Sequence, residues 1–336
     1  MNHSKNKLNR VQTPSLFSSN TKSGKASFTF IDLFAGIGGT RTGFERAGGE
    51  CVFSSEWDSY CQKTYQANFG EIPYGDITKI EDKDIPDFDV LVAGFPCQPF
   101  SSIGKRQGFM HATQGTLFYD VLRIIKGKRN KAFLLENVPG LVTHDNGNTF
   151  KTITKALDEI GYKVFTKILD AADYGVPQQR KRIYIVGFRK DLFEDVEFEF
   201  PKSNGKKAYI NDYLEENVKG YSISKHLQDG YLFKKNDGRP MIIDKSSRIQ
   251  VKTLVSTYHK IQRLTGTFVK DGETGLRLLT VNECKAIMGF PKDFIIPVSR
   301  TQMYRQMGNS VAVPVIEAIS KEIAKILENS KIKPKK

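Results

Sequence analysis

The stretch "FTFIDLFAGIGGTRTGFERAG" at residues 28–48 decides how the rest of the chain is read. "FTFIDLF" is an apolar run of strand length that stops at a turn carrying Gly36, Gly38 and Gly39, and a helical pattern near 38–48 follows. Strand, glycine turn and helix open an α/β unit in which a ligand approaches backbone at the carboxyl end of the strand. Arg41 stands where the third glycine of G-x-G-x-x-G belongs, and the Lys of a phosphate loop is missing. A nicotinamide-dependent dehydrogenase is disfavoured on that ground. Taken alone, the turn is equally an ordinary structural one.

The same texture continues outward. "CVFSSE" (51–56), "FDVLVAGF" (88–95), "KAFLLENV" (131–138) and "KRIYIVGF" (181–188) read as buried strands. Helical stretches at about 58–69, 117–126 and 150–161 lie between them. This alternation predicts an α/β fold with a doubly wound, mostly parallel sheet over residues 28–202. Residues 203–276 break the pattern, being rich in Lys, Gly, Asn, Ser and Thr with short β-like pieces, and predict a second, smaller, irregular β-rich domain. Thr280 and Glu283 form a capping box, residues 277–299 read as a hinge, and a helix after Pro314 makes 300–330 a return into the first domain. Residues 1–27, with Lys5, Lys7, Arg10, Lys22 and Lys25 and no acid, read as a disordered basic arm, and 331–336 as a basic tail.

A net charge of +14 over 336 residues points to a polyanionic partner, nucleic acid first. No apolar run is long enough to cross a bilayer, so a cytoplasmic protein without a membrane partner is expected. Cys51, Cys61, Cys97 and Cys284 are scattered without C-x-x-C spacing, which suggests neither a disulfide framework nor a metal site.

Three places carry chemistry. About 20 residues beyond the glycine turn, Glu56 ends the second strand, where a carboxylate can take both ribose hydroxyls, and Trp57 beside it can lie on an adenine. Asp76 in "YGDIT" is placed for a further polar contact. Adenosine without pyrophosphate points to S-adenosylmethionine. In "LVAGFPCQPFS" (91–101), Cys97 is mounted between two prolines at the tip of an apolar strand. A thiolate there can add to C6 of a cytosine when an acid protonates N3 and a cation sits near O2. Glu136 of "ENV" and Arg180 and Arg182 of "QQRKRIY" supply those groups from neighbouring strand ends. Each residue alone reads more readily as an inert thiol, a helix or loop cap, or a solvated arginine.

The ordered set "FIDLFAGIGG", "SEWD", "GDIT", "GFPCQPFS", "ENV", "QQRKRIYIVGF", "LLTVNECKAIMGFP" and "YRQMGNSVAVP" resembles the cytosine-C5 DNA methyltransferases of bacterial restriction–modification systems, from about residue 28 to 325. The resemblance implies a Rossmann-like methyltransferase fold with Cys97 as nucleophile and Glu136 as the acid on N3. It implies that Arg182, Arg180 and Gln178 hold the cytosine and the catalytic loop. The S-adenosylmethionine pocket it implies comprises Phe34, Gly36, Gly38, Glu56, Trp57, Asp76, Ile77, Pro96 and Leu117, completed by Asn309 and Ser310 of "GNSV". Gln98, Ser101 and the pair Thr253-Leu254 are implied on the DNA side. The implied product is S-adenosylhomocysteine, and the implied partner is duplex DNA at a short, palindromic site, read by a monomer. A cognate restriction endonuclease acting separately is expected by the same habit. The chain departs from the family at "GFMHATQGTLF", where Gln114 stands in place of a usual arginine and the loop is one residue longer. Two rivals remain: a catalytically silent DNA-binding relative, and an enzyme acting on tRNA cytosine.

Overall fold

The computed structural model describes residues 26–96, 117–203 and 205–332. Among the described residues six strands form one sheet: β1 (Phe28–Leu33), β2 (Gly49–Ser55), β3 (Val90–Ala93), β4 (Ala132–Asn137), β5 (Tyr162–Asp170) and β6 (Lys181–Arg189). Their spatial order is β2-β1-β3-β4-β6-β5. Neighbours from β2 to β4 are parallel, while β6 runs antiparallel to both β4 and β5. The mostly parallel sheet is therefore present. Beyond β2, Tyr74 adds a single bridge to Ser55, extending the edge by one residue.

Side chains alternate across these strands because successive Cβ atoms point to opposite faces. Phe30, Val90, Val92, Leu134 and Val186 face a layer built from Phe44 of α1 (Gly39–Arg46) and Val315, Ile316, Ile319 and Ile323 of α9 (Val313–Ile332). Ile31, Leu33, Leu91, Phe133 and Ile185 face the other layer. Its helices are α3 (Leu117–Lys128), contributing Val121, Ile124 and Ile125, and α5 (Asn148–Glu159), contributing Ile153 and Leu157. Burial on both faces is what makes the central strands read as unbroken apolar runs. The chain's end thus shares a core with its first strand, and the Ser320 hydroxyl donates to Gly43 O at 3.2 Å across the α1–α9 contact.

α2 (Ser59–Phe69) starts where the Asp58 carboxylate accepts the N–H groups of Tyr60 and Cys61, and it ends at Gly70. A single helical turn, α4 (Gly140–Thr143), follows β4. Residues 203–276 carry little regular structure: the short α6 (Lys225–Leu227) and a parallel pair, β7 (Met241–Ile243) with β8 (Thr267–Val269). The apolar residues of this segment do not form an isolated core. Ile210, Leu232, Leu254 and Phe268 join one cluster with Ile37, Tyr65 and Phe69. The same cluster takes in residues of α7 (Val281–Met288) and α8 (Arg300–Asn309). The Thr280–Glu283 capping box is present at the start of α7.

Candidate active site

All the strand ends that matter lie on one rim. β1 stops at Leu33 beside Ala93 of β3, and Ala93 pairs on its other side with Leu135 of β4. β6 begins on this same rim because it runs the other way, with Ile183 opposite Asn137 and Tyr184 opposite Glu136. A parallel β6 would have carried Arg182 to the far edge of the sheet. Its reversal is the reason that Arg182 Nε reaches Glu136 Oε1 at 3.0 Å.

On the β1–β2 side, Phe34, Gly36 and Gly38 all have positive φ, so the turn bends sharply off the strand. Gly38 also lies against the Phe69 ring, where a side chain would not fit. The Gly36 N–H donates to Glu56 Oε2 at 2.8 Å, and the Asp58 N–H donates to Oε1 at 2.8 Å. Burial raises the Glu56 pKa, and these two N–H groups oppose the shift. Trp57 next to it is 79% exposed, an open aromatic face beside an anchored carboxylate. Asp76 caps a short turn, accepting the N–H and hydroxyl of Thr78, and these bonds lower its pKa. Ile77 is buried, Pro96 exposed and Leu117 half-buried. Arg41 is taken up by protein partners: its Nη1 donates to the Tyr65 hydroxyl at 3.0 Å and it pairs with Glu45 and Glu71.

On the β3–β4 side, Pro96 is the last described residue before Cys97. Cys97, Gln98, Ser101 and Gln114 lie outside the described residues, as do 1–25. The mount itself is tied down. Asn137 Nδ2 donates to Phe95 O at 2.9 Å, fastening the chain two residues before Cys97 to the strand that carries Glu136. Burial raises the Glu136 pKa while Arg182, and then Arg180, hold it down. An acid that retains its proton more readily than an exposed carboxyl can donate to a ring nitrogen. Pro139, Asp170, Gln179, Lys181, Arg182 and Thr253 line an open cavity of about 500 Å³ beside this pair.

Two residues expected to hold the cytosine and the catalytic loop, Gln178 and Arg180, are buried among protein partners. Gln178 is 0% exposed, and its Oε1 accepts the Leu254 N–H at 2.6 Å while its Nε2 donates to Ile287 O at 3.1 Å. Arg180 is 3% exposed and donates to the carbonyls of Leu254, Gly308 and Ser310. Leu254 is itself buried in the core, so its side chain faces away from solvent. Thr253 is half-buried and its hydroxyl donates to Gln179 O at 2.8 Å. Asn309 is exposed and Ser310 half-buried at the end of α8. Sequence reasoning passed over Asn137, although it sits inside the quoted "ENV". It also passed over Asp32, whose buried carboxyl oxygens have no hydrogen-bond partner among the described residues.

The rim therefore brings together Glu56 and Trp57 at β1–β2, the chain leading out of β3 as far as Pro96, and Glu136 with Arg182 at β4–β6. A family model for C-5 cytosine-specific DNA methylases matches residues 28–325. The chain belongs to that family. It is a DNA cytosine-5-methyltransferase of the type II restriction–modification kind. It is 62% identical over 303 residues to the type II methyltransferase M.MspI of Moraxella sp, covering 90% of this chain and 72% of that protein. It is 64% identical over 293 residues to M.BsuFI of Bacillus subtilis, covering 87% and 71%. Among solved structures, a DNMT2 variant from Spodoptera frugiperda superposes with a TM-score of 0.71 at 24% identity, over 89% of this chain and 99% of that one. The methyltransferase EhMeth of Entamoeba histolytica gives 0.70 at 24%, over 91% and 99%. At that identity the likeness is one of fold.

Proposed function

We propose that this methyltransferase works on a cytosine flipped out of duplex DNA, through a covalent bond between Cys97 and C6. The supporting observation is the order of strand ends along the rim. Neighbouring strands lie about 4.8 Å apart, so the tips of β1 and β4 are about 10 Å apart with β3, and the start of the Cys97 mount, between them. Inside a stacked duplex C6 is out of reach of any such group, hence the flip.

The residues present fit S-adenosylmethionine. Glu56 offers a fixed carboxylate for ribose hydroxyls, Trp57 an open ring face, and the glycine turn has no lysine for a phosphate. Phe34, Gly36, Gly38, Asp76, Ile77, Pro96, Leu117, Asn309 and Ser310 complete that reading. When bound, it supplies an electrophilic methyl group on a sulfonium and leaves as S-adenosylhomocysteine. The Cys97 thiolate adds to C6 as Glu136 gives a proton to N3, and the resulting enamine makes C5 nucleophilic. Arg182 orients Glu136 and places positive charge beside the ring. After C5 has taken the methyl group, solvent water takes the C5 proton, expulsion of the thiolate restores the aromatic ring, and Glu136 recovers its proton from N3.

Residues 28–202 with 300–330 then form the catalytic part, 203–276 the recognition part and 277–299 the hinge, with Gln98, Ser101 and Thr253 on the DNA side. The fit of α9 against β1 and α1 supports the return. The net charge of +14 suits duplex DNA and predicts steep weakening with salt. We read the target as a short palindrome, the protein as a monomer in the cytoplasm, and the outcome as protection from a separate endonuclease. The test is transfer of labelled methyl from S-adenosylmethionine to plasmid DNA and to tRNA. Wild type should label the plasmid, and Cys97→Ala should label neither. Full activity of the alanine variant would defeat the covalent mechanism, and exclusive labelling of tRNA would defeat the DNA reading. Bisulfite sequencing of the labelled plasmid gives the site.

A further inference from the structure

Three separate parts of the chain meet at one buried guanidinium. Arg180 Nη1 donates to Leu254 O at 3.1 Å, on the DNA-side stretch. Its Nη2 donates to Gly308 O at 3.0 Å and Ser310 O at 2.6 Å, on the return that flanks Asn309. The neighbouring residues fasten the same stretch from below. Val251 N–H donates to Pro177 O and Gln179 N–H to Val251 O, each at 2.9 Å, and Gln178 takes the Leu254 N–H. The two carbonyl-bearing segments also touch directly. A side chain on Gly308 would overlap the backbone of Val255 and Ser256, so the stretch rests on the bare end of α8.

We propose that Arg180 is a positioning residue that couples the cofactor side of the enzyme to its DNA side, by making the placement of residues 251–256 and of the Asn309–Ser310 return a single variable. The inference rests on the reading that Asn309 and Ser310 border the cofactor and Thr253 borders DNA. Only a planar fork with donors on separate nitrogens spans three carbonyls on two segments, and a lysine ammonium offers one point in space. A cofactor that steadies Asn309 and Ser310 then steadies Leu254 through the guanidinium, and DNA against Thr253 steadies the return by the same bonds. Linkage requires the two effects to be equal in equilibrium affinity.

The experiment measures the affinity of a fluorescent duplex for the full-length protein with and without saturating S-adenosylhomocysteine, which permits no turnover. In wild type the product should tighten DNA about 5-fold or more. In Arg180→Lys, which keeps the charge, that ratio should collapse to about 1, a change that a loss of stability alone does not produce. Because the lysine variant is exposed to misfolding, hydrogen exchange on wild type supplies the second measurement. Adding S-adenosylhomocysteine should slow exchange at the amides of 254–256. An unchanged ratio in the lysine variant, or no protection of 254–256 in wild type, overturns the inference. Wild type that binds both ligands without coupling also overturns it alone. Failure of wild type to bind S-adenosylhomocysteine at all would bring down the underlying reading together with it.

Discussion

Two buried arginines, one just before α7 and one on the rim, are built to opposite rules. Arg277 is 0% exposed, and its guanidinium meets both oxygens of Glu283 at 2.9 Å and Asp271 at 2.8 Å. It also donates to the carbonyls of Leu278 and Glu215. Two carboxylates thus answer one arginine. Beside β4 and β6 the ratio is inverted: Arg182 and Arg180 both act on the Glu136 carboxylate, Arg182 through a salt bridge and Arg180 through space, since the Arg180 guanidinium donates only to carbonyls. Burial, with Arg182 adding to it, pulls the Arg180 pKa down to about 10, and Glu136 opposes that shift. The Arg277 cluster answers its cation with carboxylates to spare and is a staple. The rim leaves positive charge over, at the place where a polyanion and a polarised pyrimidine are proposed to sit.

The sharpest way to break this contrast is to remove the rim's carboxylate. Glu136→Gln keeps the shape but cannot deliver a proton, and kcat for methyl transfer should fall about 10²- to 10⁴-fold. Its urea midpoint should fall only modestly, because the glutamine carbonyl oxygen still accepts from the Arg182 guanidinium. An activity loss matched by an equal loss of stability would make Glu136 a staple like Glu283.

The converse substitution is Arg277→Met, which leaves Glu283 and Asp271 without their cation. Breaking a buried pair from one side costs about 3–5 kcal/mol. Urea denaturation should show that loss, while kcat per folded molecule stays close to wild type. A smaller effect is expected at Asn137, where alanine removes the amide that holds Phe95 O. The Cys97 mount would drift, and kcat should drop about 10- to 100-fold with little change in S-adenosylmethionine affinity by calorimetry. Equal losses in affinity and rate would show that Asn137 supports the whole sheet edge instead.

Why part of this was legible in the sequence, and part was not, follows from how each feature is made. β1, β3 and β4 are buried on both faces, so their apolar runs announced themselves. β5 did not, because Thr166, Lys167 and Ile168 face solvent at the sheet's edge and the run is broken. α8 was missed for the same reason, its pattern being largely polar. The direction of β6 leaves no mark in "KRIYIVGF", since either direction buries the same residues. The positions of Glu56 and Glu136 at strand ends were legible residue by residue. The duties of Gln178 and Arg180 were not, because their partners are backbone carbonyls and an amide 74 to 130 positions away. Backbone has no letter in a sequence.

Asp32 offers the finest test, since it is buried like Arg277 and unpaired like Arg180. It sits one residue from the end of β1, under the glycine turn, with no partner for either oxygen among the described residues. Desolvation pushes its pKa up to about 8, against the pull of Arg41 and with small pushes from Glu56 and Glu45. An unfolded aspartate titrates near ~3.9. Between those values the folded protein holds a proton that the unfolded chain has released, so rising pH favours unfolding. The Asp32 contribution is whole below about pH 4 and is gone once pH passes about 8. Across roughly pH 5 to 7 it should tilt stability downward by about 1.4 kcal/mol per pH unit. Asp32→Asn carries no titrating proton, so its urea stability should decline less over that span than wild type's. Parallel pH profiles for the two proteins would mean that Asp32 finds a partner for its charge, and that the rim's unpaired arginine is the exception in this fold.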